Sequence, residues 1–240
     1  MTMRLAKMMA RSGVCSRRAA EDLIRQKRVT VNGEIVDTPA FNVEETDNVL
    51  LDGEKLPKTE VARLWLYHKP VGLIVSHKDE KDRPTVFDHL PDGLPRVISV
   101  GRLDLNSEGL LLLTNSGELS RKLELPSNGW VRRYKVRVFG HVDAEKFACL
   151  QKGIEIDGVS YGAIKVQIES EQGANSWLMV SLTEGKNREI RKVMKYLGLE
   201  VSRLIRLSYG PFQLGSLPRG EVKEIPQKVL KEQLGQGFDL

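Results

Sequence analysis

Residues 99–115 read Ser-Val-Gly-Arg-Leu-Asp-Leu-Asn-Ser-Glu-Gly-Leu-Leu-Leu-Leu-Thr-Asn and place a polar segment between two apolar runs. The runs Val97–Val100 and Leu110–Thr114 each predict a buried strand, because short continuous apolar runs are typical of strands covered on both faces. The polar segment is then a loop between two strands, and it carries Asp104. Asp104 either bonds backbone amides in its own loop, as aspartates do in turns, or performs chemistry.

The first sixty residues predict a small module of two helices and a hairpin. Leu5–Arg11 is expected to be a helix that ends near Gly13, and Ser16 is expected to cap a second helix that continues to about Lys27. Asn32-Gly33 lies between two alternating apolar arms, which predicts a tight hairpin because both residues tolerate positive φ. Asp52-Gly53 predicts a second turn.

The rest of the chain predicts more strands than helices. After a linker near residues 57–62, strands are expected on both sides of a Lys69–Gly72 turn and in six later segments. Those segments are 97–100, 110–114, 130–139, 162–169 with 176–183, and 201–208, and helices are expected near 117–124, 143–151 and 187–197. Regular βαβ alternation is absent, which favours an α+β fold with a mixed, mostly antiparallel sheet and flanking helices. We expect two domains, residues 1–60 and 61–240.

The charge is distributed unevenly along the chain. The net charge is only +5, but residues 1–28 hold eight basic and two acidic side chains, whereas residues 29–60 hold two basic and eight acidic ones. Two later segments, 132–137 and 186–206, are also basic. One such cluster is typical of a solvated surface, whereas three favour a polyanionic partner such as RNA.

Several functional classes lack their usual sequence marker. The two cysteines have neither metal-site nor redox spacing, no apolar run reaches the roughly 20 residues of a membrane helix, and the chain has no Gly-rich nucleotide-binding loop. We therefore expect a cytoplasmic protein without membrane contact, metal or cofactor. Asp104–Gly109 matches half of a calcium loop, but position twelve is Asn115 instead of glutamate. A hydrolase that uses Asp104 with Glu108 is the other open alternative.

The N-terminal pattern SRRAAEDLI followed by VTVNG resembles the RNA-binding module of small-subunit ribosomal protein S-four. The resemblance implies that basic residues of the two helices contact phosphates of structured RNA, which supplies affinity and position but not sequence readout. The residues concerned are Arg11, Arg17, Arg18, Lys27 and Arg28.

Four motifs in order resemble the RsuA-type pseudouridine synthases. GRLDLNSEGLLLLTN contains the family's Gly-Arg-Leu-Asp, HKPVG (68–72) its Lys-Pro-x-Gly motif, RRYKVRV (132–138) its tyrosine strand, and LTEGKNREIRKVMKYLG (182–198) its arginine segment. The resemblance covers nearly the whole chain. It implies an isomerisation in which the uracil of a uridine is detached and rejoined through carbon 5, which needs no cofactor.

The resemblance also assigns roles. Asp104 is expected to be the essential carboxylate, Tyr134 the ring that stacks on the uracil and the proton acceptor at carbon 5, and Arg191 the ion-pair partner of Asp104. Cations around Tyr134 in the basic segment 132–137 are consistent with stacking on a base. Arg102 is expected to fill the gap left by the flipped uridine. Substrate or RNA contacts are expected from Arg102, Lys69, Arg188, Lys186 and Leu204.

RPTVFDHLP (83–91) and the segment 202–220 most resemble the RluB-like branch, which implies large-subunit ribosomal RNA as substrate. The partner is therefore expected to be ribosomal RNA or a ribosome assembly intermediate, bound by a monomer. Alternatives are a synthase of small-subunit ribosomal RNA, a non-catalytic RNA-binding or ribosome-assembly protein, and an RNA hydrolase or lyase.

Overall fold

The structure is a computed structural model that describes residues 2–235. Its first part contains two helices and six short strands. The helices are α1 (Leu5–Arg11) and α2 (Arg17–Arg25), and the strands are β1 (Met3–Arg4), β2 (Val29–Val31), β3 (Glu34–Val36), β4 (Asn42–Val43), β5 (Val49–Leu51) and β6 (Glu54–Lys55). Four strands form a sheet in the order β3-β2-β5-β6, and β1 pairs with β4.

Local sequence explains these elements. The Ser16 hydroxyl accepts a hydrogen bond from the Ala19 amide at 3.1 Å and caps α2, as predicted. Asn32 and Gly33 both have positive φ and form the predicted β2–β3 hairpin. Apolar side chains of both helices and the strands pack into a core of their own, which includes Leu5, Met9 and Ile24.

The second part is built on eleven strands and four helices among the described residues. The strands are β7 (Leu64–Lys69), β8 (Ile98–Val100), β9 (Glu108–Thr114), β10 (Arg132–Phe139), β11 (Ile154–Ile156), β12 (Val159–Tyr161), β13 (Ile164–Gln172), β14 (Asn175–Leu182), β15 (Glu200–Tyr209), β16 (Phe212–Gln213) and β17 (Val222–Glu224), and the helices are α3 (Gly117–Glu124), α4 (Ala144–Cys149), α5 (Glu189–Tyr196) and α6 (Gln227–Leu234).

Nine of these strands form one mixed sheet, which confirms the predicted fold class. Its order is β13-β14-β10-β15-β9-β7-β17, with β16 on β15 and β8 on β9. Every pair is antiparallel except β9 and β15. Leucines of β9 point alternately into two different cores, Leu111 and Leu113 into one and Leu110 and Leu112 into the other. Burial on both faces explains why this strand is a continuous leucine run.

Helices cover both faces of the sheet unequally. On one face, α4 and α5 cover the sheet through Phe147, Ile190 and Val193. On the other, α3 and α6 cover the half that contains β7, β9 and β16. The half of this second face formed by β13, β14 and β10 carries exposed side chains, among them Arg133 and Arg137.

Some expectations about elements were wrong or incomplete. Residues 73–76, expected to form a strand after the Lys69–Gly72 turn, are joined to a neighbouring segment only by a bridge between Ile74 and Thr85. The β11–β12 hairpin, β17 and α6 were not predicted.

The two parts of the chain also touch each other. Lys7 of α1 forms an ion pair with Glu118 of α3 at 2.5 Å, and a cavity of about 610 Å³ lies between the parts. Residues 56–63, which connect them, form neither helix nor strand. Among residues 2–235, no helix is long and apolar enough to cross a membrane.

Candidate active site

Asp104 lies in the loop between β8 and β9, and hydrogen bonds from the protein interior hold this loop in place. The Lys69 ammonium, at the end of β7, donates to three carbonyl oxygens: Pro70 at 3.0 Å, Asp104 at 3.2 Å and Ser107 at 2.9 Å. The Gly72 amide donates to the Leu105 carbonyl at 2.8 Å. The Lys-Pro-x-Gly turn is therefore the support on which the Asp104 loop rests.

This arrangement corrects the expectation that Lys69 contacts RNA. Lys69 is completely buried and all three of its donors have partners inside the protein, so no phosphate can reach it. Burial lowers the pKa of Lys69 to about 8, against the opposing attraction of Asp104 and Glu108. The residue is a support for the loop and not a ligand of the substrate.

A cavity of about 760 Å³ opens beside Asp104, within the size range of sites for small organic ligands. Tyr134 and Leu204, from adjacent strands, both line it and are only 8% and 6% exposed. In the register of β10 with β15, Tyr134 lies opposite Arg206 and Val136 opposite Leu204. The structure thus brings Asp104, Tyr134 and Leu204 to one cavity, although they lie up to a hundred residues apart in the sequence.

The cation nearest to Asp104 is not the one expected. Arg188, just before α5, forms the ion pair, with its Nη1 at 3.4 Å from the Asp104 carboxylate. Arg191 instead donates to the carbonyls of Val201 at 3.0 Å and Asn106 at 2.8 Å. The predicted ion pair between Arg191 and Asp104 is therefore wrong for this structure, because both terminal nitrogens of Arg191 are held by backbone oxygens.

Arg191 still contributes to the site electrostatically. Burial lowers the pKa of Arg191 and neighbouring Arg188 acts in the same direction, whereas Asp104 opposes them. Its bond to the Asn106 carbonyl adds a second support to the Asp104 loop, besides the hydrogen bonds from Lys69. Arg191 thus holds the Asp104 loop and places positive charge near it.

Two further expected residues lie at the rim of the cavity. Arg102 is exposed, and it has no ion-pair partner among residues 2–235. Lys186 donates to the Ser160 carbonyl at 2.6 Å and to the Glu184 carboxylate at 2.8 Å. The Glu189 carboxylate accepts a hydrogen bond from the Lys186 amide at 2.8 Å, which joins the Lys186 loop to the first residue of α5. Burial raises the pKa of Glu189.

The basic segment on β10 does not surround Tyr134 as expected. Side chains of a strand alternate between the two faces of a sheet. Arg133, Lys135 and Arg137 therefore lie on the face opposite Tyr134. Only Arg132 lines the cavity, and its guanidinium donates to the Glu184 carbonyl at 2.7 Å and to the Tyr209 hydroxyl at 3.1 Å.

The sequence interpretation did not assign Arg206, which lies beside Tyr134 in the cavity wall. This guanidinium is 3% exposed, its Nε donates to the Leu110 carbonyl at 2.7 Å, and its buried Nη2 has no hydrogen-bond partner. No carboxylate of residues 2–235 forms an ion pair with it. A buried cation without a counter-charge is costly, which makes Arg206 a candidate for binding an electron-rich group. The alternating pattern of β15 next to the tyrosine strand could have indicated it.

The cations expected in the N-terminal module differ in their availability. Arg17 and Arg18 are exposed and form no ion pair among the described residues. The other three form pairs: Arg11 with Glu45 at 3.8 Å, Lys27 with Asp37 at 3.9 Å and Arg28 with Asp52 at 2.5 Å. These pairs are exposed, and such pairs contribute little energy, so a phosphate can compete for the cations.

The calcium and hydrolase alternatives for the loop are wrong in this geometry. Glu108, which either alternative requires, is 4% exposed at its side chain and is bound by Arg203 at 2.5 Å and Arg219 at 3.2 Å. In the described part of the chain, no three His, Cys, Asp or Glu side chains gather as metal ligands do. Asp104 is therefore the accessible carboxylate of the loop.

Comparison with known proteins identifies the class to which this fold and cavity belong. A sequence model of RNA pseudouridylate synthase matches residues 63–196, and one of the S4 domain matches residues 3–49. The chain is 49% identical over 229 residues to an uncharacterized RNA pseudouridine synthase of Rickettsia felis, covering 95% of this chain and 99% of the relative. It is 40% identical over 233 residues to ribosomal large subunit pseudouridine synthase B of Yersinia pestis, covering 94% and 73%.

A solved structure agrees with these sequence relatives. A crystal structure of pseudouridylate synthase superposes with a TM-score of 0.69 at 27% identity and covers 97% of this chain and all of that one. The shared class is that of enzymes that modify RNA by isomerising uridine. The chain belongs to the RNA pseudouridylate synthase family and carries an N-terminal S4 domain.

Proposed function

We propose that this enzyme isomerises a uridine of large-subunit ribosomal RNA to pseudouridine, with Asp104 as the essential carboxylate. The observation that carries the proposal is the convergence of Asp104, Tyr134 and Leu204 on one cavity, together with Arg188 and Arg206. Large-subunit RNA is supported as the substrate by two related proteins, one from Yersinia pestis and one from Salmonella typhi, which are both named ribosomal large subunit pseudouridine synthase B.

The geometry suits each step of the reaction. A uridine swung out of its RNA can enter the cavity and stack on Tyr134 above Leu204, while Arg102 at the rim contacts the RNA that the base has left. Asp104 then acts at the ribose or the base as nucleophile or general base. The detached uracil carries negative charge on its ring nitrogen and carbonyl oxygens, and the buried Arg206 guanidinium stabilises this charge.

Tyr134 completes the isomerisation in this proposal. Once carbon 5 of the uracil is joined to the ribose, the proton on that carbon must leave, and the Tyr134 hydroxyl is the proposed acceptor. Arg188 places positive charge beside the Asp104 carboxylate through the ion pair at 3.4 Å, and Arg191 holds the loop through Asn106. We also propose that residues 1–60 dock on structured RNA through Arg17 and Arg18, and that residues 61–240 form the catalytic domain.

The proposal is tested with ribosomal RNA that carries tritium at carbon 5 of uridine. We expect wild-type enzyme to release tritium from large-subunit RNA, with the strand intact, and to release far less from small-subunit RNA. Release mainly from small-subunit RNA would contradict the large-subunit assignment. Strand breaks or free uracil in proportion to the tritium would contradict isomerisation and favour a hydrolase or lyase.

A further inference from the structure

The second face of the sheet, away from the catalytic cavity, carries a group of cations and aromatic rings that the catalytic mechanism does not use. We call the outward side chains of β13, β14, β10 and the adjoining part of β15 the basic sheet face. Its cationic and apolar members are Arg133, Lys135, Arg137, Phe139, Lys165, Trp177, Met179 and Arg203, and the same registers place Gln167 opposite Met179 and Glu200 opposite Phe139.

Strand register places these side chains on one surface. Arg133 pairs with Ser181, Lys135 with Met179, Arg137 with Trp177 and Phe139 with Asn175, so all four β10 positions alternate with the inward Tyr134, Val136 and Val138. Lys165 lies opposite Ser181 on the far side of β14, and Arg203 lies opposite Arg137 on β15. No helix of the described chain packs over these residues, since α3 and α6 cover only the other half of the face.

Two aromatic rings lie among these cations. Phe139 is 54% exposed, which is unusual for a phenylalanine, and Trp177 is half-buried. They are diagonal neighbours across the β10–β14 pair, and residues in such positions are about 7–8 Å apart, within reach of aromatic side chains. The Lys135 ammonium lies 5.2 Å and the Arg203 guanidinium 5.9 Å from the centroid of the Trp177 ring. Positive charge therefore borders the aromatic surface directly.

The charges of this surface are only partly compensated. Lys135 pairs with Glu169 at 3.0 Å, and Arg203 with the buried Glu108. Arg133 and Arg137 are exposed and have no ion-pair partner within residues 2–235. Unpaired cations beside exposed aromatic rings on an open antiparallel sheet are the arrangement with which proteins bind unpaired nucleic acid, because bases stack on the rings while phosphates meet the cations.

We propose that the basic sheet face binds an unpaired segment of the substrate RNA, on the opposite side of the sheet from the catalytic cavity. The identity of that RNA rests on the proposed function, whereas the binding itself does not depend on catalysis. The same enzyme would then hold its RNA at two places, with the target uridine in the cavity and a second single-stranded segment on Phe139 and Trp177. This arrangement selects RNA whose fold exposes both the target uridine and a second single-stranded segment.

The test measures binding of a fluorescent twelve-nucleotide adenosine RNA, which contains no uridine. We expect Phe139→Ser to weaken binding at least about fivefold, the loss of one base–aromatic stack. We expect Arg133→Ser with Arg137→Ser to lower the slope of log affinity against log salt by about 1.4, since each cation on a single strand contributes about 0.7. Tyr196→Ser is the matched aromatic control, and Lys195→Ser with Lys223→Ser is the matched charge control, because all three residues are exposed elsewhere.

Ultraviolet crosslinking of the same RNA to the wild-type enzyme locates the contact without any substitution. We expect crosslinked nucleotides on the peptides that contain Phe139 and Trp177. The proposal is overturned if the control variants lose as much affinity as the test variants, if affinity does not change, or if crosslinks lie only around the cavity and the N-terminal module. A dimer that Phe139→Ser abolishes would make the face a protein contact and would also overturn it. If the wild-type enzyme released no tritium from ribosomal RNA, that result would contradict the proposed function. It would not change what the binding and crosslinking measurements say about the basic sheet face.

Discussion

Replacing Lys69 by methionine separates a support for the catalytic loop from a contact with RNA. Methionine keeps most of the side-chain length but removes the ammonium that donates to the carbonyls of Pro70, Asp104 and Ser107. No exposed surface changes, because Lys69 is completely buried. The substitution therefore loosens the loop that carries the proposed catalytic carboxylate without touching the RNA-binding surface.

The expected magnitudes follow from these contacts. Hydrogen bonds to a charged group contribute about 1.5–3 kcal/mol each. Methionine leaves the three carbonyl oxygens without this donor, and a buried acceptor that loses its partner costs about 1–3 kcal/mol. Lys69→Met should therefore destabilise the fold by at least about 3 kcal/mol at pH 7. A displacement of Asp104 by about 1 Å should lower kcat about 100-fold.

The pH dependence of stability gives an independent check with a defined sign. The pKa of Lys69 is lower in the folded than in the unfolded chain, so between about pH 8 and 10.5 the unfolded chain binds more protons. The unfolding free energy of wild type should then rise with pH in this window, relative to Lys69→Met, by up to about 3.4 kcal/mol. Guanidinium unfolding at pH 7.5 and 10.5 measures the difference.

The assay compares single-turnover tritium release and RNA affinity for wild type, Lys69→Met and the exposed control Lys223→Met. We expect kcat to fall about 100-fold in Lys69→Met, with RNA affinity within about twofold of wild type, since Lys69 is buried. The control should match wild type in both. Unchanged kcat with RNA affinity lowered more than tenfold would refute the loop-support reasoning and restore the direct RNA contact expected from the sequence.

Three further predictions test other parts of the structure. Gly109→Ala should lower the free energy of unfolding by about 1–3 kcal/mol or more, measured by guanidinium unfolding, because a Cβ there would lie 2.3 Å from the Arg206 carbonyl oxygen and force β9 away from β15; an unchanged free energy of unfolding would contradict this packing. Arg206→Gln should lower kcat at least about 10-fold while RNA affinity stays close to wild type, because the guanidinium stabilises charge that appears only during reaction; a loss confined to RNA affinity would contradict that role. Arg28→Ala should weaken RNA binding about as much as Arg17→Ala in a filter-binding titration, since the exposed pair of Arg28 with Asp52 contributes little energy and a phosphate can compete for the cation; a much smaller loss in Arg28→Ala would show that the pair withholds the cation from RNA.

Much of the fold could be predicted because local chemistry specifies it. The Ser16 cap, the Asn32-Gly33 hairpin and the leucine run of β9 are each decided by a few adjacent residues, and the structure has all three. The β11–β12 hairpin and β17 could not be predicted in the same way. The strands concerned, such as β11 and β17, are only three residues long, and the rest of the fold decides their pairing partners and packing.

The site divides in a similar way. Motif resemblance indicated Asp104, Tyr134 and Leu204, and the structure places all three at one cavity. It could not indicate that Lys69 supports the loop from inside, because burial depends on how β7 and β9 pair. Nor could it indicate that Arg188 and not Arg191 meets Asp104, because that choice depends on the backbone carbonyls within reach of each guanidinium.

The most direct measurement of the central claim is the single-turnover rate of tritium release by Asp104→Asn from large-subunit RNA labelled at uridine carbon 5. Asparagine keeps the shape of the side chain and removes its negative charge. Asp143→Asn is the matched control, because Asp143 caps α4 outside the cavity and asparagine caps helices equally well. We predict no detectable release by Asp104→Asn, with RNA affinity retained and the control at the wild-type rate. Release by Asp104→Asn at a rate close to wild type would contradict the account.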